Sequence, residues 1–166
     1  PKVRDVNLSG SFDLDDGVGR LQFDRGSAYL ANTETSISSI RLDVEHKDGD
    51  VRLHDFVARL DRSFVMATGG YGDGVLRRLQ LVFNPISLDE VHSLGLIPDL
   101  SGQFGGNVIL DGPLDSLRVS GQLTGAGLGI AVGALEFDGR VDDNEIALDH
   151  VDGDFFGSPV TGSFNY

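Results

Sequence analysis

Five segments of this 166-residue chain share one grammar: LSGSF at 8–12, LSGQF at 100–104, VSGQL at 119–123, FDGRV at 137–141 and VTGSF at 160–164. In each, a glycine stands between two bulky apolar residues, and a polar residue fills every intervening position. Side chains of a β-strand alternate between faces, so Leu100, Gly102 and Phe104 share one side while Ser101 and Gln103 share the other. The same split holds for Leu8, Gly10 and Phe12, for Val119, Gly121 and Leu123, for Phe137, Gly139 and Val141, and for Val160, Gly162 and Phe164. Helical spacing cannot produce this pattern, so the chain is constrained to β-structure with one apolar and one polar face.

The phase runs beyond the five segments. Val6 and Leu14 extend the first, Gly106, Val108 and Leu110 extend the second, and Leu135 precedes the fourth. Alternation recurs in RLQF, IRLDV, VRL, LQLVF and EIALDHV, which predicts about a dozen strands punctuated at DDG, DRG, KDGD, GDG, DGP and VDGD. Glycine inside a strand has no side chain to pack, and it commonly marks a bend or a close backbone approach. A glycine on the apolar face therefore lets a sheet curl tightly or lets an opposing sheet come near. Ordinary corners of a β-sandwich would leave the same trace. Gly102, Gly121, Gly139 and Gly162 recur at intervals of 19, 18 and 23 residues, a period that predicts either two strands plus turns per unit or one coil of a β-solenoid. One helix is expected at 88–94, where Ser87 and Glu90 form a capping box and Gly95 supplies a stop. Such a helix would cover an open edge or end of the sheet.

Composition narrows the function classes. The net charge is -13, and it is uneven: residues 1–98 carry 11 basic and 15 acidic residues, whereas residues 99–166 carry only Arg118 and Arg140 against 11 acids. Nucleic acid and anionic membrane surfaces both call for basic patches, so neither is an expected partner. Cysteine is absent, which excludes disulfides and thiolate chemistry. The longest nearly unbroken apolar run, LGIAVGAL at 128–135, falls well short of the ~20 residues that span a bilayer. His46, His54, His92 and His150 lack any HxH or HExxH spacing. GGYGDG at 69–74 misses the calcium repeat by one position, and DLDDG at 13–17 misses the EF-hand spacing. Asp142 and Asp143 sit in a turn-like VDDNE, and Ser63 and Ser158 lack a nucleophile-elbow context. The reading is of a protein that is not an enzyme, with no metal and no cofactor. The chain opens at PKVRDV and stops at GSFNY within a strand-like pattern, which reads as a single β-repeat segment of a longer protein, less regular over 1–83 and clearest over 84–166.

Over 84–166 the chain resembles the repetitive part of the TamB and AsmA-like proteins of diderm bacteria. Their units run glycine, apolar, x, apolar, x, glycine, a proline-containing connection, then apolar, x, glycine, x, apolar. Val108, Leu110, Gly112, Pro113, Val119, Gly121 and Leu123 occupy those slots. Residues 1–83 match loosely. The resemblance implies an elongated, curved, folded-over sheet whose concave side is a hydrophobic groove. It further implies a periplasmic protein anchored in the inner membrane outside this segment, carrying phospholipid or another acyl-chain lipid toward the outer membrane. An outer-membrane barrel of the TamA or BamA type is the implied protein partner.

On this reading the groove is lined by Leu8, Phe12, Leu14, Leu21, Phe23, Leu42, Val44, Leu81, Phe83, Leu100, Phe104, Val108, Leu110, Val119, Leu123, Leu135, Phe137, Val141, Ile146, Leu148, Val160 and Phe164. Gly10, Gly102, Gly121, Gly139 and Gly162 supply the curvature. The rival expectation is a structural or adhesive β-repeat with a dry core and a protein-binding polar face.

Overall fold

The computed structural model of the chain describes residues 3–30, 35–93, 101–127, 130–142, 145–155 and 158–165. The alternating segments become strands: β1 (Val3–Asp15), β2 (Val18–Leu30), β3 (Thr35–Ile37), β4 (Ser39–Lys47), β5 (Asp50–Arg59), β6 (Phe64–Gly72) and β7 (Val75–Ser87). A helix, α1 (Leu88–Ser93), leads to β8 (Gly102–Pro113), β9 (Ser116–Gly127), β10 (Ile130–Asp142), β11 (Ile146–Phe155) and β12 (Ser158–Asn165). The twelve strands form one sheet in the order β1-β2-β4-β5-β6-β7-β8-β9-β10-β11-β12, with the short β3 paired to β2. Every ladder is antiparallel. The sheet is curved and open, with β1 and β12 at its two edges. A solenoid would stack its coils in parallel and a sandwich would need a second sheet, so the architecture is the curved single sheet.

Local chemistry explains the hairpins. Asp16-Gly17, Asp48-Gly49 and Asp73-Gly74 all hold positive φ at both residues (44° and 80°, 50° and 86°, 52° and 76°). That is the two-residue type I′ turn, whose twist matches the strands it joins. DDG, KDGD and GDG are thus turns. DRG and VDGD are not: Asp24, Arg25 and Gly26 lie inside β2 at a bulge, and Val151 to Asp154 lie inside β11. DGP closes β8, and the turn follows it at Leu114 and Asp115. A glycine flanked by acids reads the same whether it turns the chain or sits on the apolar face of a strand.

Strand length corrects a second expectation. Consecutive motif glycines Gly102, Gly121 and Gly139 fall on the neighbouring strands β8, β9 and β10, so their interval spans one strand and its turn rather than two strands. Strands of 12 and 13 residues make the sheet roughly 40 Å deep at ~3.3 Å per residue.

The helix forms where the capping signature places it, but the cap is wired differently. Ser87 N–H donates to the Ser63 hydroxyl at 2.9 Å, and the Glu90 carboxylate accepts from Arg62 N–H at 3.1 Å. Both partners belong to the β5–β6 connection, so α1 is tied to that connection at the strand ends. It packs against β7 and β8 and covers neither edge strand. Ser63, Ser87 and Glu90 are all buried there.

Candidate functional site

The register assembles the alternating positions into rows that cross the sheet. One runs Gly10, Phe23, Leu42, Phe56, Ala67, Leu81, Val108, Gly121, Phe137, Val151 and Gly162, each residue paired with the next across eleven strands. Beside it, Phe12, Leu21, Val44, Leu53 and Gly69 lead to the bulge at β6–β7. The same row continues through Leu79, Leu110, Val119, Gly139, Leu148 and Phe164. A third contains Ala58, Val65, Phe83, Gly106, Leu123, Leu135, Gly153 and Val160, with Leu8 opposite Gly26 on the same face. Leu14 lies in a fourth row, and Val141 is paired with Ile146. Phe104 faces Ile86 and Gly125 in a fifth. The sequence-predicted residues therefore share one face, apart from Leu100, which lies outside the described residues, and Phe164, placed here by its backbone alone.

No second layer covers that face among the described residues. Among the described residues, the buried hydrophobic side chains are Val57, Leu60, Ala67 and Val119, and Val57 lies on the other face. Phe12 is 66% exposed, Leu14 72% and Leu8 45%. Most of the remaining row residues, Phe23, Leu42, Leu81, Phe83, Phe104 and Phe137 among them, are half-buried, packed sideways against row neighbours. The accessible surface is 10220 Å², against roughly 7900 Å² for a compact monomer of 17.7 kDa. An apolar face one strand deep explains the excess.

The glycines show which way the sheet bends. A Cβ built at Gly10 would overlap the Gln22 carbonyl oxygen. At Gly106 it would overlap that of Gln122, at Gly121 Asn107, at Gly125 Gln103, at Gly139 Ala147 and at Gly153 Ala134. All six glycines belong to the apolar rows, and a Cβ points out of the sheet on its own face. A neighbouring carbonyl in that position means that the adjacent strand has swung toward the apolar side. Gly70 and Gly105, on the polar face, would meet a neighbour only at 3.5 Å or beyond. The curl is therefore toward the apolar face. Gly106 and Gly125 also hold φ of 144° and 147°, a region costly to any residue with a side chain. Gly102 shares this backbone region at φ 137°, whereas a Cβ at Gly162 would meet nothing within 4 Å.

Sequence reasoning missed several row members. Phe56 is out of phase with Val51 and Leu53 because a bulge inserts a residue between Leu53 and Phe56. Val65 and Ala67 sit in FVMAT, where Phe64 and Met66 are also apolar, so alternation is invisible. Gly125 and Gly153 did carry a signal, since LTG and VDGDF continue the same period of two.

The opposite face is a ladder of charges. Arg20 donates to Asp43 through Nε at 2.9 Å and Nη2 at 2.7 Å, Arg41 bonds Asp55 at 2.6 Å, Arg77 bonds Asp50 at 2.5 Å and Arg118 bonds Asp111 at 2.9 Å. The Arg20 guanidinium holds the Asp43 carboxyl at about 2, well below the usual range, and overcomes the opposing effect of desolvation; the Gln22 amide adds a further bond at 3.1 Å. His54 contacts Glu45 at 3.4 Å, and Asp73, in the GGYGDG stretch, sits in a turn 4.0 Å from Arg77. No three His, Asp or Glu side chains gather as a metal site among the described residues, and no described helix is long and apolar enough to cross a membrane.

Compared with protein-family models, with curated proteins and with solved structures, the chain matches none.

Proposed function

We propose that the apolar face carries acyl chains, in the manner implied by the resemblance to the TamB and AsmA-like proteins, and that the chain is a segment of a periplasmic lipid-transport protein. One observation bears most of the weight: a row unbroken by any polar side chain crosses eleven strands on the side toward which the sheet curls, with no second layer over it among the described residues. Burial of methylenes is non-directional and contributes about 0.8 kcal/mol per CH₂. A surface of Phe, Leu, Val, Ile and Gly therefore holds a fatty tail at many positions along its length without a specific polar contact, which is what a conduit requires. The charge ladder keeps the opposite face hydrated. In this reading phospholipid is the cargo, the segment works between the inner and outer membranes, and an outer-membrane barrel is the downstream partner.

Photo-crosslinking amino acids at Phe104 and Leu123, on the apolar face, and at Gln103 and Gln122, on the polar face, test the proposal in cells. Lipid adducts are expected at the first pair. Equal capture by both pairs, or capture by neither, overturns it.

A further inference from the structure

The polar face contains a second feature that the transport reading does not use. Across the sheet, one polar row alternates in sign: Asp13, Arg20, Glu45, Arg52. The next position is Gly70, and after it comes Arg77. Gly70 thus stands where the order of signs would place an acid, and it leaves an arginine on either side. The β6–β7 bulge adds a third arginine beside them. Leu76 pairs with Tyr71 and Arg77 with Gly70, while Leu79 returns to the apolar rows, so Arg77 and Arg78 are consecutive residues turned to the polar face. Arg78 holds φ at 50°, a conformation that a residue with a long side chain rarely adopts and one that concentrates at functional sites. Its N–H is held by Asp111 at 3.0 Å.

These residues line one cavity of about 560 Å³. Acids line it too: Asp50 is engaged by Arg77 and Glu45 by His54, and Asp48 lies beside Lys47 in the same lining. The Arg52 and Arg78 guanidinium groups have no ion-pair partner among the described residues. On a chain of net charge -13, this lining carries Lys47, Arg52, Arg77 and Arg78 against Glu45, Asp48 and Asp50, a local excess of positive charge in which Arg52 and Arg78 are the unpaired arginines. Arg52 and Arg77 stand two strand spacings apart, about 9.6 Å, near enough for both to reach one tetrahedral oxyanion at the ~2.8 Å of a charge-assisted bond.

We infer that Arg52, Arg77 and Arg78, over Gly70, form a binding site for a phosphate group, whether of a free phosphate compound or of a phospholipid headgroup. The site is on the face opposite the apolar rows, so it stands or falls independently of lipid transport.

The test titrates the ¹⁵N-labelled full chain at constant ionic strength with inorganic phosphate, with glycerol 3-phosphate, and with vesicles of phosphatidylglycerol or of phosphatidylcholine. Saturable amide shifts at Gly70, Arg77 and Arg78 are expected, with binding about tenfold weaker in Arg52→Gln and again in Arg78→Gly. Arg78→Gly separates binding from folding, because glycine relieves the left-handed backbone and its melting temperature should equal or exceed the parent's. Saturation by the soluble phosphates assigns the site to free phosphate compounds. Response to vesicles of either lipid but to neither soluble phosphate, lost in Arg78→Gly, assigns it to a headgroup. Shifts that never saturate, or that persist undiminished in both variants, overturn the site.

Discussion

The strands before the helix and those after it solve the same problem with different chemistry. In β1 to β7 the polar face is cross-linked by Arg20 with Asp43, Arg41 with Asp55 and Arg77 with Asp50, while backbone overlap at an apolar-row glycine occurs at Gly10, with a closely similar approach at Gly69. In β8 to β12 the balance reverses. Arg118 with Asp111 is the arginine ion pair among the described residues there, and Gly106, Gly121, Gly125, Gly139 and Gly153 all lie against a neighbour's carbonyl. The charge asymmetry of the sequence thus has a structural meaning. Where bases are plentiful, side chains tie the strands together, and where they are scarce the backbones themselves close up. A curved sheet can be held from its outside or bent from its inside.

The largest expected effect breaks that contrast at the glycines. Gly121→Val or Gly139→Val forces two backbones apart and should cost about 3 kcal/mol, the upper end for overpacking, whereas Gly162→Val, with open space around it, should cost under about 0.5 kcal/mol. Urea denaturation measures all three, and equal costs would sink the account of curvature. Next in size, Gly49→Ala puts a side chain at φ 86° in a type I′ turn and should destabilise by about 1 kcal/mol. Smaller still, Arg41→Ala should cost at most about 1 kcal/mol, as exposed pairs do, and the loss should shrink at high salt. Hydrogen exchange in 1 M salt should correspondingly accelerate more in β2, β4 and β5 than in β9, β10 and β11; uniform change would erase the distinction between the halves. The smallest effect is on Asp43. Its folded pKa lies below the unfolded value, so its contribution is complete above about pH 4 and is lost as pH falls toward about 2. Carboxyl ¹³C shifts followed through that window test the assignment, and Arg20→Ala should move the midpoint upward.

Reading function from such a chain depends on which residues keep phase. Leu21, Phe23, Leu42 and Val44 were legible because Arg20, Gln22, Asp43 and Glu45 separate them with charge and amide. Phe56 was not, since one bulge residue inverts the apparent face of everything beyond it. The arginines of the proposed phosphate site carry no local signal: only the bulge and a left-handed backbone at Arg78 bring Arg77 and Arg78 onto one face beside Arg52.

By itself the sequence determined the alternation of faces, the Asp-Gly turns at 16–17, 48–49 and 73–74 and the short helix, because each follows from local steric preferences of a few consecutive residues. It also determined that one face would be apolar along its length. Only the tertiary structure decided that the strands run as one antiparallel meander rather than as coils or two layers, and that the bend is toward the apolar side. Those outcomes depend on register between residues far apart in the chain, where a single bulge reassigns every side chain that follows it.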